Sequence, residues 1–203
     1  IDGNAWYVAT AMPNKDYTTY KNAGGIELHA KEISMGKPSE LIPFKLVNIT
    51  GKDIDKATKL HFEMGELKNS ISKGRGNIYG FLGEIITSDF FNVKLSNTYN
   101  YDFILNEKRI DVKSKKVNSV PRHNYECSVA GLNTKQECDY YIFTRIMGDL
   151  KKGWILGYIP KKEYFKKATF LNAGHVDPTN GFRVRSACYN LEIGELNNIE
   201  ELL

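Results

Sequence analysis

The sequence is poor in the residues that staple small folds or gather metals. Its three cysteines, Cys127, Cys138 and Cys188, are odd in number, and none belongs to a Cys-x-x-Cys pair. A disulfide framework is therefore excluded, and free, buried thiols in a reducing compartment are expected. The histidines, His29, His61, His123 and His175, are scattered without zinc-ligand spacing. No apolar run is long enough to span a membrane, and no signal-peptide pattern opens the sequence. The expectation is a cytoplasmic protein, neither secreted nor membrane-bound. There is no internal repeat and no low-complexity segment. Neither sign of charge dominates: 28 Lys and Arg face 24 Asp and Glu, a net charge of +4. That balance permits an anionic partner without demanding one.

What is present is an ordinary globular composition, rich in aromatics. At 203 residues the chain is expected to form a single domain, residues 1–203, large enough to bury a core without staples. The most informative stretch runs from Tyr99 to Lys116. It reads as two strands and a two-residue turn at Asn106-Glu107, where Asn tolerates positive φ. That turn sets Asp102 opposite Asp111, Phe103 opposite Ile110 and Tyr101 opposite Val112. Alternation then sorts Tyr101, Phe103, Leu105, Ile110 and Val112 onto an apolar face. Asp102, Asp111 and Lys113 fall on the other, with Ile104 as the misfit. Two carboxylates and a lysine on one face suit a hard divalent cation with an ammonium beside it. The alternative is a solvated hairpin face carrying a surface ion pair.

Upstream, residues 1–50 read as an N-terminal, β-containing extension. Short strands are expected at Trp6 to Ala9, Ile26 to His29 and Leu41 to Val47, with a turn at Gly24-Gly25. Thr50 and Asp53 fit a capping box. The helix behind it carries an apolar stripe of Ile54, Ala57, His61, Met64, Leu67 and Ile71. A basic glycine loop, Ser72 to Asn77, presents Arg75. A second helix, Asn77 to Phe90, buries Ile78, Phe81, Leu82, Ile85 and Ile86. Its glycines, Gly80 and Gly83, each cost about 1 kcal/mol against alanine, and close approach to a sheet would compensate. Glu84 sits roughly 60° round from Phe81, at the edge of that stripe.

Downstream, strands are expected at Tyr125 to Ala130, Asp139 to Met147, Gly153 to Ile159 and Phe182 to Ile193. A lysine-rich helix should start after Pro160. The lysines Lys161, Lys162, Lys166 and Lys167 read as a solvated face. A short acidic helix, Glu195 to Leu203, should turn Leu196, Ile199 and Leu203 inward.

The order of helix with Glu84, hairpin with Asp102 and Asp111-Val112-Lys113, then further strands and a helix, resembles the PD-(D/E)XK nuclease superfamily. The resemblance covers a core of roughly residues 75–168. Tyr101 stands where the family has proline. Some exonuclease branches add a glutamine after the lysine, and Gln136, expected in a loop, is the nearby candidate. The resemblance implies an α/β (α+β), restriction-endonuclease-like fold, a mixed sheet of roughly five strands flanked by helices. It implies phosphodiester hydrolysis of nucleic acid, with DNA the expected polymer and Mg²⁺ or Mn²⁺ the cofactor. Asp102 and Asp111 would ligate the metal, Glu84 would complete the shell directly or through water, and the Val112 carbonyl could add a ligand. Lys113 would orient or deprotonate the attacking water, or stabilise the developing oxyanion. Arg75, Lys115, Lys116 and Arg122 are the expected phosphate contacts. The runner-up is a non-catalytic nucleic-acid-binding module on the same fold. A plain structural domain is the third reading.

Overall fold

The computed structural model describes residues 43–64, 77–96, 98–177, 181 and 183–203. The strands expected within residues 6–9 and 26–29, and the basic loop with Arg75, lie outside them. The protein is a mixed α/β structure built on a five-stranded sheet. Strand β1 is Lys45–Asn48, β2 Phe103–Leu105, β3 Lys108–Val117, β4 Glu126–Ala130, β5 Tyr140–Met147, β6 Lys152–Pro160, β7 Thr169–Leu171 and β8 Cys188–Glu192. The main sheet has the order β1-β6-β5-β3-β2. Its β3–β5 pair is parallel and the other pairs are antiparallel. Strand β1 shows that residues 45–48, read from sequence as part of an extension, pair within this sheet.

The sequence suggested one sheet, but there are two. Strands β4, β8 and β7 form a separate three-stranded sheet. Its members are short and pair over long separations, so alternation alone could not assemble them. The strand expected from Phe182 shrinks to the five residues of β8.

Helix α1 is Gly51–Met64 and helix α2 is Asn77–Phe90. The capping box closes α1 reciprocally. The Thr50 N–H donates to Asp53 Oδ2 at 2.8 Å, and the Asp53 N–H donates to Thr50 Oγ1 at 3.4 Å. Leu67 and Ile71, the far end of the expected stripe, lie outside the described residues. Both helices pack on one face of the sheet. Ala57 of α1 and Phe81, Leu82, Ile85 and Ile86 of α2 meet Phe103, Ile110, Val112, Ile142, Ile146 and Ile155.

Gly83 is what lets α2 come so close. A Cβ there would lie 1.8 Å from Ser114 Oγ and 2.5 Å from Thr144 Oγ1. Those two hydroxyls hydrogen-bond each other at 2.6 Å. Gly80 does not share this role, because a Cβ there would meet open space.

The opposite face is aromatic. Tyr141, Phe143, Trp154, Leu156 and Ile159 pack against Cys127 and Val129 of β4, Leu191 of β8, and Tyr164 of helix α3, Lys161–Lys167. The Tyr164 hydroxyl reaches the carbonyls of Cys127 at 3.2 Å and Tyr189 at 2.7 Å, tying α3 to the smaller sheet. All three cysteines are buried and free, as expected. The acidic C-terminus forms two 3₁₀ turns, Ile193–Glu195 and Ile199–Leu202, instead of a helix. Leu196 and Ile199 face inward, but Leu203 is exposed. Among the described residues no helix is long and apolar enough to cross a membrane.

Candidate active site

The hairpin forms as its turn chemistry dictates. Asn106 and Glu107 both take positive φ, 47° and 62°, and Phe103 pairs with Ile110. Strand β2 begins only at Phe103, however, so Tyr101 leaves the ladder and Asp102 keeps a single irregular bond to β3, its N–H donating to the Ile110 carbonyl at 2.8 Å. Tyr101 packs with the aromatic cluster, not with Phe103 and Ile110 as strict alternation required. The departure frees Asp102 to act as a ligand to the backbone. Its Oδ2 accepts the Val112 N–H at 2.6 Å, on the side of β3 that no described strand pairs beyond Ile110.

Asp111 and Lys113 stand on the face away from α2, as their register with Tyr141 and Phe143 of β5 shows. That face is not solvated. Asp111 is 3% exposed. The Lys113 ammonium lies 2.9 Å from Asp111 Oδ1, its hydrogen-bond acceptor, and 2.7 Å from Oδ2. Oδ2 itself is buried and accepts no properly directed hydrogen bond. The ammonium also sits 5.7 Å from the centre of the Tyr141 ring.

Helix α2 brings Glu84 to the same sheet edge from the helix side. Burial and the Asp111 charge push its carboxyl up to about 7, opposed by Lys113. Asp102 is raised well above the carboxylate range by burial, then by Glu84 and Asp111, with the Val112 N–H and Lys113 opposing. Asp111 is raised by burial, with Lys113 and Lys161 pulling it back. Three carboxylates that each resist ionisation, with a lysine among them, form one electrostatic unit.

This donor set fits a hard divalent cation. It offers carboxylate oxygens, an excess of negative charge when ionised, and in Asp111 Oδ2 a buried oxygen whose partner is the Lys113 ammonium at 2.7 Å, without a well-directed hydrogen bond. As the side chains stand, no three His, Cys, Asp or Glu among the described residues are gathered closely enough to hold a metal ion. Asp102 is drawn to the Val112 N–H and Asp111 to Lys113, so holding an ion requires these contacts to be exchanged for it.

Sequence reasoning left Gln136 in a loop and Lys161 on a solvated face. Gln136 does lie in the link between a 3₁₀ turn, Gly131–Lys135, and β5. Its Oε1 accepts the Lys113 ammonium at 2.8 Å, and its Nε2 donates to the Tyr99 carbonyl at 2.9 Å. Its own carbonyl accepts the Lys161 ammonium. The resemblance named Gln136 as the candidate glutamine after Lys113, and nothing local flagged Lys161.

The expected phosphate contacts do not form one patch. Lys116 crosses to the α2 side, 5.2 Å from the Tyr79 ring, while Lys115 stays beside Arg145 on the other face. Burial and the Arg145 charge lower the Lys115 ammonium. Arg122 is exposed, and Arg75 lies outside the described residues. The sequence matches no protein-family model and no curated protein.

Proposed function

We propose that this protein is a Mg²⁺- or Mn²⁺-dependent nuclease that hydrolyses phosphodiester bonds, with DNA its substrate. The observation that carries this reading is the electrostatic unit of Glu84, Asp102, Asp111 and Lys113, with Asp111 buried and the other three half-buried, beside the point where the pairing of β2 with β3 ends at Phe103 and Ile110. Buried carboxylates held at raised pKa values beside a lysine are costly to fold, and such arrangements concentrate at functional sites. The succession α2, β2, β3 and β5 supports the finer assignment, a restriction-endonuclease-like core.

In this reading Asp102 and Asp111 hold the cation, with Glu84 completing its surroundings. Bound there, the cation supplies Lewis acidity toward a water and toward the phosphoryl oxygens. Lys113 acts at the attacking water or at the developing oxyanion. Gln136 Oε1 gives that ammonium an acceptor outside the proposed ligand set, which would keep Lys113 oriented with Asp111 engaged by a cation. Water exclusion comes from the Tyr141 and Phe143 layer beneath.

The test is cleavage of plasmid, linear duplex, single-stranded DNA and RNA with Mg²⁺ or Mn²⁺, and with EDTA. Metal-dependent cleavage of DNA that EDTA abolishes is the expected result. Full activity in EDTA removes the metal mechanism. Metal-independent binding without cleavage points to a non-catalytic nucleic-acid module.

A further inference from the structure

Lys161 is the first residue of α3, where a positive side chain works against the helix dipole. Its neighbour Lys162 is exposed, but Lys161 is half-buried and turned toward the site. Its backbone N–H is anchored on the Asp139 carbonyl at 2.9 Å, and its ammonium donates to the Gln136 carbonyl. Residues 136–138 belong to no helix or strand. Their backbone is tied by the Gln136 N–H on the Asn133 carbonyl at 3.2 Å and the Glu137 N–H on Asn100 Oδ1 at 3.3 Å, while the Glu137 carboxylate pairs with Arg109 at 3.5 Å and Cys138 is buried in the aromatic cluster. Within that link, the Gln136 amide joins the Lys113 ammonium to the Tyr99 carbonyl.

From this chain of contacts we infer that Lys161 is a positioning residue. Its ammonium fixes the 136–138 link, and through Gln136 it fixes where the Lys113 ammonium sits between Asp111 and the Tyr99 turn. The Lys161 ammonium has its hydrogen bond on Gln136 and not on Asp111 or Lys113; its charge also draws the Asp111 carboxyl down, an effect that Lys161→Arg keeps. A charge-assisted bond to a backbone carbonyl suits that task, because the carbonyl belongs to the segment that must not move. Misplacing a catalytic group by about 1 Å can cost on the order of 10²-fold in rate. The activity arm of the inference rests on the nuclease reading above, and the exchange arm does not.

The experiment compares full-length wild type with Lys161→Met, Lys161→Arg and Lys162→Met. It measures kcat and KM for DNA cleavage and amide hydrogen exchange over 136–138. Lys161→Met should lower kcat at least tenfold, leave KM within about twofold and speed exchange in the link. Lys161→Arg should recover most of both, and Lys162→Met should match wild type. A Lys161→Met protein that cleaves like wild type per folded molecule overturns the inference. So does an equal loss of kcat in Lys162→Met. If wild type cleaves nothing, the nuclease reading falls and exchange alone decides. Faster exchange in Lys161→Met then sustains the positioning role, and unchanged protection overturns it.

Discussion

Asp111 and Arg145 are buried against the same sheet face, and the polar groups gathered round them are opposites in how well they are satisfied. In the first, Asp111 is 3% exposed, its Oδ2 lacks a directed donor, and its carboxylate neighbours raise one another's pKa values. In the second, Arg145 is 3% exposed and Asp177 2%. There the Asn190 Nδ2 donates to both Glu126 Oε2 at 2.9 Å and Asp177 Oδ2 at 3.3 Å, and the Arg145 guanidinium donates to the Glu126 carbonyl. Burial lowers Arg145 only to about 10, so it remains charged. On the nuclease reading, equal burial with unequal satisfaction distinguishes a group that serves chemistry from one that serves architecture. A fully bonded polar network specifies packing, whereas a partly bonded one costs stability that only function repays.

The sharpest way to break the comparison is to remove charges one at a time from the first group. Asp111→Ala should abolish most cleavage, and Lys113→Ala should cost on the order of 10²–10⁴ in rate. Metal-free DNA affinity should hold or rise without Asp111. It should fall modestly without Lys113, with a shallower salt dependence. Both variants should stay folded by circular dichroism, and wild-type cleavage by both would reduce the group to an ordinary ion pair.

Stability against pH gives the next largest effect. Glu84 titrates near 7 in the folded protein, above the 4.5 of an unperturbed glutamate. Between those values the folded state binds more protons than the unfolded one. The Glu84 contribution to metal-free stability should therefore fall as pH rises from about 4.5 to 7 and level off above, with the raised Asp102 and Asp111 carboxyls adding losses of the same sign. Glu84→Gln should gain up to about 3 kcal/mol over wild type at pH 8 and almost nothing at pH 4, read from urea melts. Because ligands must be deprotonated, Mg²⁺ should raise Tm more at pH 8 than at pH 5.5. A Glu84→Gln protein less stable than wild type at pH 8 would mean the carboxylate is structural.

The smallest effect belongs to the second group. Asn190→Ala removes the donor shared by Glu126 and Asp177 and should destabilise by about 1–3 kcal/mol. Cleavage per folded molecule should not change. Loss of kcat at unchanged stability would erase the distinction between the two groups.

Much of this arrangement was legible before any coordinates. The hairpin announced itself because Asn106-Glu107 fits a turn with two positive φ values and because Phe103 and Ile110 must share a face. The α2 stripe and the Thr50 box were local signals, and local signals survive folding. The candidate carboxylates followed from that register together with the position of Glu84. What escaped was non-local. Asp102 and Tyr101 obey alternation only if the strand includes them, and the strand begins just after them, at Phe103. The smaller sheet depends on β4 meeting β8 across more than fifty intervening residues, a pairing no window of sequence reveals. Gln136 and Lys161 reach the site by folding, from segments whose own patterns say loop and surface.

The contact at Gly83 has a consequence for how this sequence can drift. The hydroxyl pair of Ser114 and Thr144 occupies the space a side chain at 83 would need. Glu84 is the next residue, so any outward shift of α2 also withdraws that carboxylate from Asp102. Position 83 is therefore free to change only in concert with 114 and 144. A lineage that acquired alanine at 83 would need room made at both hydroxyls. Among diverged descendants of this chain, correlated substitution at these three positions would be the trace left by the proximity of helix and sheet.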